Sequence, residues 1–312
     1  MTRPRLAAPL PLRDGVAPSI AALPAGPWPT VLACLQARFA GVAPEVWHQR
    51  CLRGEVVDEH GVAVTPERPH EKQLRVFYYR ELPDEVVSAE PLPIVWQDAH
   101  LLVIDKPHFL AAIPGGQHLK NTALVRLKQQ TGEADLAPLH RLDRETAGLL
   151  VFSRQPATRG VYQRLFAERT VHKRYRAVVH WPPAEGDAGW HVGEPSTHRS
   201  HMAQDDHFLR MREVPGEPNS ETTLTLQTRW PEAGRALLQL APLTGRTHQL
   251  RVHCAALGCP IVGDTLYPVL QAMGSDDANL PLQLLAQWLS FTDPISGEPR
   301  QFESALRLLA AG

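Results

Sequence analysis

A chain of 312 residues, 43% hydrophobic and 21% charged, has the length for one large or two ordinary domains and the composition of a soluble globular protein. Its formal net charge of −1 excludes a global pull towards nucleic acid, so any RNA-binding function must rest on local basic clusters. Four cysteines without a C-x-x-C pair argue against a disulfide framework, and no apolar run approaches the roughly 18 residues that span a bilayer.

In chain order, residues 1–29 carry seven prolines and no apolar period, which predicts a flexible Pro/Ala-rich tail. Arg3 and Arg5 are followed by Pro4, Pro9 and Pro11, a poor match to a secretory or transit helix, so the cytoplasm is the expected location. Residues 30–82 read as a small α+β module. Val31 to Phe39 suggests a helix, and Trp47 to Arg53 a second one stopped by Gly54. A hairpin about Glu59-His60-Gly61 follows, and then an alternating strand from Gln73 to Tyr79. Residues 83–91, within the acidic stretch Glu81, Asp84, Glu85 and Glu90, read as a linker.

The large domain is expected over 92–312. Ile94-Val95-Trp96 and Leu101 to Asp105 are compact strand patterns meeting Lys106-Pro107. Asn121 to Gln129 and Thr158 to Arg169 read as helices; Gly148 to Ser153 and Lys173 to His180 read as strands. Residues 182–222, rich in Pro, Gly, Ser and His, suggest a long irregular excursion. Strands resume at Thr223–Thr228 and Ala236–Pro242, Arg246 to Leu257 suggests a helix ended by Gly258, and Leu282 to Phe291 a last strand. Runs of strands with few helices imply an α+β fold with a mainly antiparallel mixed sheet. No phosphate-cradling glycine motif is present, so no nucleotide cofactor is expected. His198, His201 and His207 cluster, but their spacing fits no zinc pattern, and no metal site is expected from it.

Three constellations carry chemistry. The run His140-Arg141-Leu142-Asp143-Arg144-Glu145-Thr146-Ala147-Gly148 sets an aspartate at the edge of a buried strand, where a carboxylate ordinarily needs a partner. Thr244 to His253 places Leu250, Cys254 and Leu257 on one buried helix face, with Arg251 at its border, where it could meet a carboxylate. In Lys173-Arg174-Tyr175-Arg176, alternation separates Tyr175 from Arg174 and Arg176, and the ring could be core or a platform for a base. Residues 154–176 hold seven Lys or Arg against Glu168 alone, a footprint suited to a phosphate backbone.

Together these motifs resemble the RluA-type family of pseudouridine synthases. The family's H-R-L-D-x-x-T-S-G stands at His140 to Gly148 with Ala147 for Ser, and its K-x-Y-x-A-x-V at Lys173 to Val179. Its G-R-T-H-Q-[IL]-R-V-H…G-x-P-I-x-G-D-x-x-Y stands at Gly245 to His253 and Gly258 to Tyr267. Two further departures are His108-Phe109 after Lys106-Pro107, where Lys-Pro-x-Gly is usual, and Leu285, where histidine is common. The small module loosely resembles an S4 RNA-binding domain.

The resemblance implies isomerisation of uridine to pseudouridine in structured rRNA, tRNA or both, without a metal or cofactor. Apart from the resemblance, a monomer with no membrane segment and no obligate protein partner is expected. The resemblance also implies Asp143 as the catalytic carboxylate, acting as nucleophile or as base, with Arg251 its partner and Tyr175 stacked on the uracil. Arg141, His140, Lys173, Arg174, Arg246 and His248 are then the candidate RNA contacts, Arg141 filling the gap left by the flipped base. A carboxylate-based nucleoside hydrolase would need a second acid opposite Asp143, and a non-catalytic RNA binder would not need Asp143, Tyr175 and Arg251 intact.

Overall fold

A computed structural model describes residues 8–80, 85–181, 190–272 and 274–309. The chain forms two compact units, Met1–Ser88 with Pro114–Asn121, and Ala89–Ile113 with Thr122–Gly312. Among the described residues no helix is long and apolar enough to cross a membrane.

The first unit contains β1 (Ser19–Ala22), α1 (Val31–Arg38), α2 (Pro44–Leu52), β2 (Val56–Asp58) and β3 (Arg75–Tyr78), with an antiparallel sheet ordered β1-β3-β2. Thr30 Oγ1 accepts the Ala33 N–H to start α1, and Pro44 supplies a fixed φ at the first turn of α2. The core closes on Trp47, whose ring meets Tyr78 edge-on at 4.8 Å. Strand β1 lies in the segment expected to be a flexible tail. Only Ala21 of its four residues is buried, so no alternation marks it, and backbone pairing with β3 makes the strand instead. Of the acidic stretch, Glu81 and Asp84 lie outside the described residues. Glu85 is not merely a linker charge, for its carboxylate accepts the N–H groups of Leu119, Lys120 and Asn121.

The second unit runs β4 (Ile94–Gln97), β5 (Leu101–Lys106), α3 (Ala123–Thr131), β6 (Ala137–Pro138), β7 (Ala147–Ser153), α4 (Pro156–Ala167) and β8 (His172–His180). It continues with β9 (Pro195–Gln204), β10 (Met211–Val214), β11 (Ser220–Trp230), β12 (Arg235–Pro242), α5 (Gln249–Ala256), β13 (Leu284–Thr292) and β14 (Pro299–Glu303). One large sheet is ordered β10-β9-β11-β12-β8-β13-β7-β5-β4, with β14 on β13 and β6 on β7. Only the β7–β13 pair is parallel among the described strands, so the sheet is mainly antiparallel and the fold α+β, as the strand pattern predicts. The described part of the excursion expected at 182–222 contains the long strand β9, its hairpin partner β10 and the start of β11, while residues 182–189 lie outside the described residues. Residues such as Ser196, Thr197, His198 and Arg199 form an outer strand without apolar alternation, so their polarity mimics a loop.

Register sets the site. Ala286 of β13 faces Gly148 of β7 on one side and Tyr175 of β8 on the other. The loop entering β7 and the aromatic of β8 therefore flank one residue of β13. Gly148 has φ +110, and a Cβ there would lie 2.3 Å from the Ala286 carbonyl oxygen. Gly148→Ala is expected to cost roughly 2–4 kcal/mol through overpacking and backbone strain, read as a lowered urea midpoint at unchanged slope. The departures Ala147 and Leu285 are also register partners, buried in one apolar cluster. They form a matched apolar pair in the core.

Candidate active site

Asp143 stands in the turn before β7, its side chain 28% exposed. The turn is fastened along its length. The His140 ring accepts the Val151 N–H at 3.2 Å, Lys106 Nζ donates to the Arg144 carbonyl at 3.2 Å, and His108 Nδ1 donates to the Glu145 carbonyl at 2.6 Å. The Thr146 N–H closes the turn on the Asp143 carbonyl at 3.2 Å. Such fastening fixes the direction of the carboxylate before any substrate arrives.

Lys106 is fully buried and gives its three donations to the carbonyls of Pro107, Leu110 and Arg144. Burial pulls its ammonium down to about 7, against the opposing pull of Glu145 and Asp143. Lys106→Met keeps the volume and strands three carbonyls, so a loss of roughly 1–3 kcal/mol is expected in chemical unfolding. Phe109 has φ +58, the left-handed conformation a glycine would take there, and its ring lies 5.3 Å from the Arg144 guanidinium. The His108-Phe109 departure thus keeps the turn while adding an aromatic wall.

Helix α5 begins at Gln249, later than the expected Arg246. The Gln249 side chain folds back, accepting from the Arg246 N–H at 3.0 Å and the Thr244 hydroxyl at 2.7 Å, while His248 sits before it at φ +55. Arg251 is only 1% exposed, not at a solvent border as the helix pattern suggests. Its first partner is Asp264, gripped by two hydrogen bonds of 2.7 and 2.8 Å; Glu145 follows at 3.4 Å and Asp143 at 3.7 Å. Burial disfavours the charged guanidinium, yet the Asp264 carboxylate outweighs it and holds the group ionised. Asp264 also accepts the N–H groups of Leu266 and Tyr267, and the preceding Gly263 has φ +76 where a Cβ would strike the Pro281 carbonyl at 2.5 Å. Asp264 thus closes this turn and anchors Arg251 with the same carboxylate.

His248 Nε2 lies 3.9 Å from Asp143, and its Nδ1 meets the Tyr267 hydroxyl at 3.0 Å. Burial lowers its basicity, against the attraction of Asp143. Tyr175 packs between two apolar clusters, its hydroxyl kept protonated by burial and by the charge of Asp143. The structure thus brings Asp143, Tyr175, Arg251 and His248 together.

Of the other expected RNA contacts, Arg141, Arg174 and Arg246 are exposed, Arg174 over the Trp288 ring at 4.4 Å, and Lys173 is half-buried. His140 is different. Its ring stacks on Phe166 at 5.0 Å and its Nε2 is taken by Val151, so it braces the turn and does not reach for phosphate. Burial, helped by Lys173, drops its basicity to about 3. Because the folded pKa lies below the unfolded value of about 6.5, the unfolded chain binds the extra proton between these limits. Stability is expected to fall as pH drops from 6.5 towards 3, with a urea-midpoint slope smaller by one proton in His140→Gln. In the basic stretch, Arg154 is spent on Glu133 at 2.8 and 2.9 Å and Arg159 donates to the Asp135 carbonyl. Arg164, Arg169 and Arg174 remain exposed.

A cleft of about 640 Å³ is lined by Phe109, Glu145, Asp264, Asp276 and Asp277 among others, and Asp143 is not on its wall. Its acids repel phosphate, so it is a poor track for RNA.

Lys106 and Glu145 are the site residues that sequence reasoning left without a role; the signal for Lys106 is a cation ending a strand that opens Leu-Leu-Val-Ile. Residues 100–256 match the model of the RNA pseudouridylate synthase family. The chain is 36% identical over 217 residues to the dual-specificity RNA pseudouridine synthase RluA of Haemophilus influenzae, covering 68% of this chain and 92% of that one. The protein of the same name from Pasteurella multocida is 36% identical over 216 residues, with 68% and 92% covered. The solved structure titled human RNA pseudouridylate synthase domain containing 1 superposes with a TM-score of 0.54 at 27% identity, covering 72% of this chain and 94% of that one. With the aspartate turn, the aromatic strand and the arginine helix meeting at one point, the chain belongs to the RluA-type family of RNA pseudouridine synthases.

Proposed function

We propose that this enzyme converts uridine to pseudouridine in rRNA and tRNA, with Asp143 as its catalytic carboxylate. The observation that carries the reading is a partly exposed Asp143 fixed beside Arg251 and His248, with Tyr175 close enough for its hydroxyl to sense the aspartate charge. The C1′–N1 bond breaks, the uracil turns, C5 joins C1′, the C5 proton goes to solvent and N1 regains one. The change is redox-neutral and adds no group, so one carboxylate acting on the ribose suffices. Arg251, itself anchored on Asp264, holds that carboxylate ionised, and the Tyr175 ring stacks on the base.

The target base must leave its stack, and exposed Arg141, two residues before Asp143, is suited to the gap. Arg174, Arg246, Lys173 and His248 line the approach. The first unit supports RNA binding as an S4-like module through exposed His48 and Gln49 on α2 and Arg53 at its C-terminal cap. The enzyme then works in the cytoplasm, as a monomer, without a cofactor.

The test is release of label from uridine C5 in rRNA and tRNA transcripts. Release from either class that is lost in Asp143→Asn supports the reading; no release from either rejects it.

A further inference from the structure

We propose that His198, Glu213 and His253 bind one zinc-type divalent cation that ties the β9–β10 hairpin to helix α5. Their ligand atoms lie within 4.8 Å of one another, although the residues come from three different elements. A tetrahedral zinc with bonds of about 2.0–2.1 Å needs ligand separations of about 3.3 Å, so only small side-chain shifts close the site. His198 Nε2 stands 2.8 Å and His253 Nε2 3.9 Å from the same Glu213 oxygen. The two imidazoles meet edge-on, centroids 4.7 Å apart at 78°, as rings converging on one point do.

The surroundings suit a metal ligand. His253 is fully buried and its Nδ1 faces Thr222 Oγ1 at 3.0 Å. With Nδ1 donating to that oxygen, Nε2 carries the lone pair and has Glu213 at 3.9 Å, the arrangement by which a neighbouring acceptor fixes a ligating histidine. The Ser220 and Ser200 hydroxyls, 3.0 and 3.2 Å from Nε2, add oxygen about the same point. Two imidazoles and one carboxylate favour zinc and its neighbours over magnesium or calcium.

Sequence spacing groups His198 with His201 and His207. In the fold His201 instead meets the Glu217 carbonyl at 2.7 Å, and His207 stacks on Phe208. The consequence is mechanical: His253 lies two residues beyond Arg251, so the cation would brace the helix that positions Asp143.

The experiment uses untagged, chelator-treated full-length protein titrated with Co2+ and then Zn2+. Expected are one equivalent per chain, a tetrahedral Co2+ absorption displaced by Zn2+, and a higher melting temperature with Zn2+. His198→Gln and Glu213→Gln, both at partly exposed side chains, should each weaken uptake at least about 100-fold, while His201→Gln binds as wild type. X-ray absorption at the zinc edge of the wild type, which depends on no variant, should show two imidazoles. No stoichiometric uptake, uptake undiminished in the His198→Gln/Glu213→Gln double variant, or an edge spectrum without imidazole would overturn the proposal. Label release by metal-free enzyme leaves this test unaffected, so failure here and failure of the synthase reading are separate results.

Discussion

Asp143→Asn is expected to lower turnover by about 100- to 10,000-fold or more while fold and RNA affinity stay near wild type. Asparagine keeps the shape of the side chain and removes its charge, and with it both the nucleophile and the base. The carboxylate is 28% exposed and lies 3.7 Å from Arg251 and 3.9 Å from His248, longer than hydrogen bonds. Arg251 keeps its bidentate grip on Asp264 in the variant, so no buried charge is orphaned. Single-turnover rates measured beside filter-binding affinities separate lost chemistry from lost binding.

Arg251→Met is expected to cost about 3–5 kcal/mol, because it leaves the Asp264 carboxylate buried without its cation. Both side chains are 1% exposed. For a unit of this size, each kcal/mol lost lowers the melting temperature by about 2–4 °C. Asp264→Asn should cost less. Its amide oxygen can still accept the Leu266 and Tyr267 N–H groups, and Arg251 retains Glu145 at 3.4 Å and Asp143 at 3.7 Å. Urea unfolding of the two variants should therefore rank them in that order. Surviving Arg251→Met protein should also turn over slowly, since Asp143 loses the cation that orients it. The reverse order would mean that Asp264 serves the turn more than the ion pair.

The residues near Asp143 were legible because each lies in a short run whose spacing is itself the signal. Asp143 precedes an apolar strand, Tyr175 sits in an alternating one, and Arg251 follows a glycine at a helix entrance. The pairing of Arg251 with Asp264 was not legible, since no helical or strand period relates them and the intervening turn brings them together. The inward packing of His140 is not legible for a related reason. Its neighbours Arg141 and Asp143 face outward, while its own ring turns in to Val151, a contact visible only once β7 is formed. Strands β1 and β9 are not legible because each buries a single side chain, and backbone pairing alone defines them. The cluster of His198, Glu213 and His253 joins two strands and a helix at positions 15 and 40 residues apart, which local spacing cannot encode.

The most direct measurement is nucleoside analysis of rRNA and tRNA transcripts incubated with wild-type enzyme and with Asp143→Asn. Wild type should give a nucleoside of uridine's mass but different chromatographic mobility, at defined positions, with no loss of chain length. Asp143→Asn should give none. Unchanged uridine with both proteins, strand loss or free uracil with wild type, or equal product from the variant would contradict a synthase built on Asp143.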